Sequence, residues 1–234
     1  MGHDKQGDNL AVYSNGKWCF RCGYRESEDR VQRHKRVLLS SSKDPPKVAL
    51  PEDVTNELPQ EAKDWLTQYE ISKADIYKNN IVFSPTYNRL IFPIFGEDSS
   101  LIAWQGRYIP IGVQVKTAPK WFSQGDLNTV FHIIGHGSDL ILCEDIVSAI
   151  KLGNVTRAMP IFGCSISVPR WKHLKLLGNS NVKVWLDPDM RIKTVKECRK
   201  GQVVGVNASS IFSTRDPKEH SYTEIHKILV DKSK

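Results

Sequence analysis

Three acidic residues, Glu144, Asp187 and Asp189, stand directly behind runs of apolar residues. Glu144 follows Leu140-Ile141-Leu142-Cys143, and Asp187-Pro188-Asp189 follows Val182-Lys183-Val184-Trp185-Leu186. Short apolar runs of this kind predict buried strands, and in open α/β sheets ligand sites gather beyond the carboxyl ends of the strands. Where two such strands are neighbours, their trailing carboxylates meet. Like charges packed that closely are costly unless a cation neutralises them, and hard oxygen donors on short acidic side chains suit Mg²⁺ or Mn²⁺. Taken singly, Asp187-Pro188-Asp189 reads as a turn and Glu144-Asp145 as a helix N-terminus favoured by the helix dipole. The order strand, Glu, helix, strand, helix, strand, Asp-x-Asp favours the metal reading.

A second set of candidate ligands is Cys19-Phe20-Arg21-Cys22-Gly23. Its C-x-x-C spacing with a following small residue suits a zinc knuckle, and the competing use is redox chemistry. No strand-helix thioredoxin pattern surrounds it, which favours zinc. The other three cysteines, Cys143, Cys164 and Cys198, are scattered and read as small buried hydrophobes. No G-x-x-x-x-G-K-[ST] is present, so the chain contains no P-loop motor. Ser165, Ser167 and His173 form no recognisable hydrolase set, and Gly135-His136-Gly137 is too short a glycine signal for a phosphate loop.

The elements that must position these groups follow from pattern. Residues 1–25 read as a small hairpin module: strand-like Leu10-Ala11-Val12-Tyr13, a turn at Ser14-Asn15-Gly16, then Lys17-Trp18-Cys19-Phe20. Residues 26–58, dense in charge and then rich in Ser and Pro, read as a linker. A helix start at Pro59 opens a third segment, 59–137, with strands at Ile81-Val82-Phe83, Leu90 to Phe95 and Leu101 to Trp104, as in a small antiparallel sheet. Across 138–234 strands and helices alternate. Strands are predicted at 140–143, 159–162, 182–186 and 203–206, and helices at 146–152, 168–177 and 192–199. That alternation predicts α/β architecture: a parallel sheet flanked by helices on both faces.

This layout resembles the Toprim domain of bacterial and phage DNA primases, topoisomerases and some nucleases. The resemblance rests on Leu142-Cys143-Glu144 and on Trp185-Leu186-Asp187-Pro188-Asp189, and Arg215-Asp216-Pro217-Lys218-Glu219 matches a later acidic motif of the primase branch. It implies that Glu144, Asp187 and Asp189 are catalytic and hold Mg²⁺ together with Asp216. Asn88-Arg89-Leu90-Ile91-Phe92-Pro93-Ile94, Trp104-Gln105-Gly106-Arg107-Tyr108 and Ala118-Pro119-Lys120-Trp121-Phe122 resemble the basic subdomain that precedes Toprim in primases. Arg89, Arg107 and Lys120 would then face nucleotide or nucleic-acid phosphates. Primase zinc ribbons carry an earlier ligand pair across the hairpin, which implies His3 as a third zinc ligand beside Cys19 and Cys22. The chain departs from the family at the first acidic site. Toprim domains usually show Glu-Gly-x-x-Asp, and here Glu144 is followed by Asp145 and by Ser148 in the place of the second acid.

The activity implied is DNA primase: metal-dependent synthesis of short RNA primers on single-stranded DNA from ribonucleoside triphosphates, during replication of phage type, beside a separate helicase. The alternatives are a non-catalytic single-strand-binding module with a degenerate Toprim core, or a Toprim nuclease. Composition is compatible with all three. The chain has 234 residues, 40% of them hydrophobic and 25% charged, an ordinary globular profile, and its net charge of +7 suits a polyanionic partner. No apolar run reaches the roughly 18 to 20 residues of a membrane helix, and no secretory leader is visible, so the expected location is cytoplasmic.

Overall fold

The computed structural model describes residues 10–13, 16–19, 25–27, 48–96, 98–112, 118–179 and 181–231. The chain divides into two compact units, Met1–Lys47 and Val48–Lys234. In the first unit β1 (Leu10–Tyr13), β2 (Gly16–Cys19) and β3 (Arg25–Ser27) form an antiparallel sheet in that order, with Leu10 opposite Cys19 and Trp18 opposite Arg25. Cys19 therefore ends a strand. The other two predicted zinc ligands, His3 and Cys22, lie outside the described residues.

The second unit opens with two short helices, α1 (Gln60–Thr67) and α2 (Lys73–Lys78). Pro59 sets the start of α1, where its missing N–H costs nothing, and Ser72 with Asp75 forms a capping box on α2. An antiparallel sheet follows in the order β4 (Val82–Ser84), β5 (Arg89–Phe95), β6 (Leu101–Tyr108), β7 (Trp121–Gln124). Strand β6 runs four residues beyond its predicted end, because Gln105 to Tyr108 continue to pair with Phe92 to Arg89.

The remaining strands form an all-parallel sheet in the order β11-β10-β8-β9. These are β8 (Leu140–Cys143), β9 (Arg157–Pro160), β10 (Asn181–Val184) and β11 (Asn207–Ser210). Helices α3 (Ile146–Gly153), α4 (Val168–Leu176), α5 (Arg191–Val203) and α6 (Tyr222–Asp231) alternate with them. The pleat of β8 splits its side chains between two cores. Ile141 and Cys143 pack with α3 and Trp185, whereas Leu140 and Leu142 pack with Trp171 and Leu174 of α4 and Cys198 of α5. A strand buried on both faces must be apolar throughout, and this is the origin of the run Leu140-Ile141-Leu142-Cys143.

One predicted strand is displaced. Val203-Val204-Gly205-Val206 is not β structure: Val203 ends α5, and Gly205, at φ +81°, reverses the chain while the Val206 N–H donates to the Gly201 carbonyl at 3.0 Å. The last strand is the following Asn207-Ala208-Ser209-Ser210, which pairs along its length with β10. As an edge strand with one partner it needs few apolar residues. Among the described residues no helix is long and apolar enough to cross a membrane.

Candidate active site

Strands β8 and β10 are hydrogen-bonded neighbours in parallel register, Val184 opposite Leu142, and the Trp185 N–H extends the ladder to the Leu142 carbonyl at 2.9 Å. Their trailing residues are therefore delivered to one place. Glu144 Oε1 accepts a hydrogen bond from the Asp187 N–H at 3.1 Å. All four parallel strands end at the same cleft, of about 420 Å³. Strand β8 supplies Glu144 and Asp145, β9 leads to Phe162 and Gly163, β10 to Asp187, and β11 to Asp216, Lys218 and Glu219. The facing wall is built by the first half of the unit: Trp65 and Tyr69 at the end of α1, Gln105 and Arg107 on β6, and Lys120 and Trp121 at the start of β7.

The acidic wall divides into an open pair and a closed pair. In the open pair, Glu144 is pushed up to about 7, first by burial and then by the charge of Asp187. Asp187 is pushed up to about 6 by burial, offset in part by Lys218 and reinforced by Asp216, Asp145 and Asp189. Asp187 Oδ1 is buried and accepts no hydrogen bond from the described residues. In the closed pair, Lys218 Nζ lies 2.9 Å from Asp145 Oδ2 and 2.7 Å from Asp216 Oδ2. These two carboxylates hold the Lys218 pKa above its usual value, against the effect of its own burial.

Asp145 is also the N-cap of α3. Its Oδ1 accepts from the Val147 and Ser148 N–H groups at 2.9 and 3.0 Å, and its Oδ2 from the Ser148 hydroxyl at 3.0 Å. This geometry accounts for Ser148. The residue is fully buried, and a carboxylate there would meet that of Asp145 at hydrogen-bond distance.

The basic residues separate in the same way. The Arg107 guanidinium lies over Trp65 at 5.1 Å and Trp121 at 5.6 Å, and its buried Nε has no hydrogen-bond partner among the described residues. Lys120 lines the cleft. Arg89 does not. It is 6% exposed, and its two terminal nitrogens donate to the carbonyls of Gly106 and Pro119 at 3.0 and 2.8 Å, which places it inside the antiparallel sheet as a brace. Asp189 lies outside the cleft lining and acts on Glu144 and Asp187 through its charge. Among the described residues no three His, Cys, Asp or Glu side chains converge as a preformed metal cage. The predicted quartet Glu144, Asp187, Asp189 and Asp216 is thus not assembled as one ligand set: Asp216 is engaged by Lys218, and Asp189 is exposed. What fits a hard divalent cation is the open pair, with its unpartnered buried oxygen and mutual repulsion.

Sequence reasoning assigned no role to Lys218, Trp65, Tyr69, Phe162, Gly163 or Gln105, all of which line the cleft. For Lys218 the available signal was its position two residues after Asp216. For Gln105, whose buried Oε1 is also unpartnered, the signal was its place beside Gly106-Arg107.

No protein-family model matches the chain, and no curated protein sequence matches it. Its fold does match solved structures. The Aquifex aeolicus primase (zinc-binding and RNA polymerase domains) superposes with a TM-score of 0.60 at 15% identity, over 74% of this chain and 56% of that one. The primase fragment of the bacteriophage T7 primase-helicase protein matches with a TM-score of 0.55 at 11% identity, over 96% of this chain and 93% of that one. A DnaG primase catalytic domain bound to single-stranded DNA matches with a TM-score of 0.52 at 13% identity, over 73% of each chain. The chain thus has the Toprim-type fold of bacterial and phage primase catalytic cores, and its match spans a little over half the length of the Aquifex aeolicus protein.

Proposed function

We propose that this chain is a DNA primase: a nucleotidyl transferase that joins ribonucleotides into short primers on a single-stranded DNA template. The observation that carries the proposal is the cleft itself, where an open acidic pair, Glu144 and Asp187, faces a lysine, Lys120, and an arginine, Arg107, that lies against two tryptophans packed edge to face. Phosphoryl transfer asks a protein for position and charge rather than for covalent chemistry. Here the negative wall suits a cation and the positive wall suits phosphate oxygens. A Mg²⁺ or Mn²⁺ ion held by Glu144 and Asp187 would polarise those oxygens and offset charge in the transition state. Arg107 and Lys120 hold the triphosphate in this reading, and the flat faces of Trp65 and Trp121 keep the Arg107 fork aimed. In the alternative division of labour Glu144 acts not as a metal ligand but as the general base on the attacking 3′ hydroxyl. A zinc ion on Cys19, Cys22 and His3, and cooperation with a separate helicase, belong to the same reading.

A second reading, a single-strand-binding module without catalysis, is favoured by one observation: Lys218 already neutralises two of the cleft's carboxylates. One assay separates the readings. The chain is incubated with single-stranded DNA, labelled ribonucleotides and Mg²⁺ or Mn²⁺. Short RNA, lost on Asp187→Ala while the circular dichroism spectrum is retained, is the expected outcome. DNA binding with no synthesis supports the module, and cleaved DNA supports a nuclease. A fully active, folded Asp187→Ala chain removes the primase mechanism.

A further inference from the structure

We infer that Lys218 is a built-in cation that takes the place of one metal ion, so that the cleft binds a single divalent ion, at Glu144 and Asp187, with the fixed ammonium standing at Asp145 and Asp216. The inference rests on the reading of the cleft as a metal-dependent one and specifies how its positive charge is divided.

The four carboxylates differ in how far they are already committed. Asp145 has no free capacity: two backbone N–H groups, the Ser148 hydroxyl and the Lys218 ammonium all donate to it. Asp216 takes the Lys218 ammonium on Oδ2 at 2.7 Å, while the Glu219 N–H of the short 3-10 turn Pro217–Glu219 goes to its backbone carbonyl at 2.9 Å. To bind a metal through the oxygens already engaged, Asp145 Oδ1 and Oδ2 and Asp216 Oδ2, bonds made at 2.7 to 3.0 Å must be given up. Glu144 and Asp187 are different. One accepts a single backbone N–H, and the other has a buried oxygen that accepts nothing. An ion entering the cleft therefore finds one vacant pair and one occupied pair.

Lys218 is suited to a fixed role. Its side chain is 14% exposed and its ammonium is shared by two carboxylates that are 17% and 24% exposed. The Tyr69 ring lies 5.9 Å from Nζ and covers it on a further side. Pro217 at the first position of the 3-10 turn limits the backbone just before it. A point charge held from three sides leaves less readily than a hydrated ion, which exchanges with solvent. The serine at 148 belongs to the same arrangement. Its hydroxyl donates to the same Asp145 oxygen, Oδ2, that takes the Lys218 ammonium.

The test counts ions rather than turnover. Mn²⁺ is titrated into the full-length chain at constant ionic strength, with free Mn²⁺ read by electron paramagnetic resonance, for wild type, Lys218→Met and Lys218→Arg. One ion in wild type, two in Lys218→Met and one in Lys218→Arg is the expected result. Should Lys218→Met not fold without metal, Lys218→Gln is titrated in its place, with thermal melts with and without Mn²⁺ to show that the added ion restores the fold. Two ions in wild type, or no added ion in the Met and Gln variants, overturns the inference while leaving the primase reading in place. A wild type that binds no ion overturns the metal-dependent reading itself.

Discussion

Glu144 and Asp187 are held at folded pKa values of about 7 and about 6, above the ordinary 4.5 and 3.8, with burial the leading cause for both. An acid whose pKa is raised on folding binds its proton more tightly in the folded chain. Its contribution therefore favours the fold at low pH and is lost as pH rises through the folded value. The window here is pH 4 to 7. The metal-free chain should accordingly gain stability from Glu144→Gln at pH 8 and gain less at pH 5. Both residues are half-buried and solvent screens part of the effect, so the gain at pH 8 is about 1 to 2 kcal/mol, or roughly 3 to 6 °C in melting temperature. A melt showing equal shifts at both pH values, or a fall at pH 8, contradicts this origin of the strain. These two acids were legible in the sequence because each follows an apolar strand. Lys218 was not, since its partner Asp145 lies 73 residues away and only the closing of the sheet brings them together. Arg89 and Arg107 were not separable either. Both sit on paired strands, and a basic residue's type does not reveal whether its head reaches a cleft or a neighbouring carbonyl.

Among the elements, the apolar runs that mark β8 and β10 were visible in the sequence, and the polar β11 was hidden by the more apolar helix end before it. Strand β7 was also missed, since Trp121-Phe122-Ser123-Gln124 is short and mostly exposed. Gly135-His136-Gly137, set aside as a phosphate loop, has a packing role instead. Gly135 adopts φ +86°, and a Cβ there would fall 2.2 Å from the Gly153 carbonyl oxygen and 2.3 Å from that of Thr156. Backbone on both sides leaves no flexible side chain to yield. The adjacent Ile134 pairs with Ala158 through bonds of 2.8 Å in each direction, so the segment is fixed to the edge of the parallel sheet. Gly135→Ala should cost about 3 kcal/mol or more, whereas Gly112→Ala, also at positive φ but with no atom of the described residues within 4 Å of an added Cβ, should cost about 1 kcal/mol. Denaturant midpoints for the two variants measure the difference. Equal losses would mean that backbone strain alone, and not the close approach, accounts for the glycine.

On the scale of the whole molecule, the net charge of +7 makes nucleic-acid binding a question of salt. Affinity for single-stranded DNA should fall with rising NaCl, and each phosphate neutralised adds about 0.7 to the slope of log K against log salt. Arg107→Ala should lower that slope by about 0.7, and Arg89→Met should leave it unchanged, because the guanidinium of Arg89 is enclosed in the sheet. Fluorescence anisotropy at four or more salt concentrations, at a temperature where both variants remain folded, reads the two slopes; a drop for Arg89→Met would place that residue on the nucleic acid after all. The cleft's width has its own determinant. Helix α3 begins at the acids with Asp145 and ends about 12 Å away, where Lys151, 1% exposed, reaches Glu70 at 2.7 Å and Asn154 reaches Asp75 at 2.8 Å. Glu70 directly follows Tyr69, which with Trp65 forms the aromatic wall. The acidic side and the aromatic side are thus clamped to each other from behind, at the far end of a rigid rod. The gap between the two walls is therefore set by contacts inside the fold, at a distance from anything that enters it.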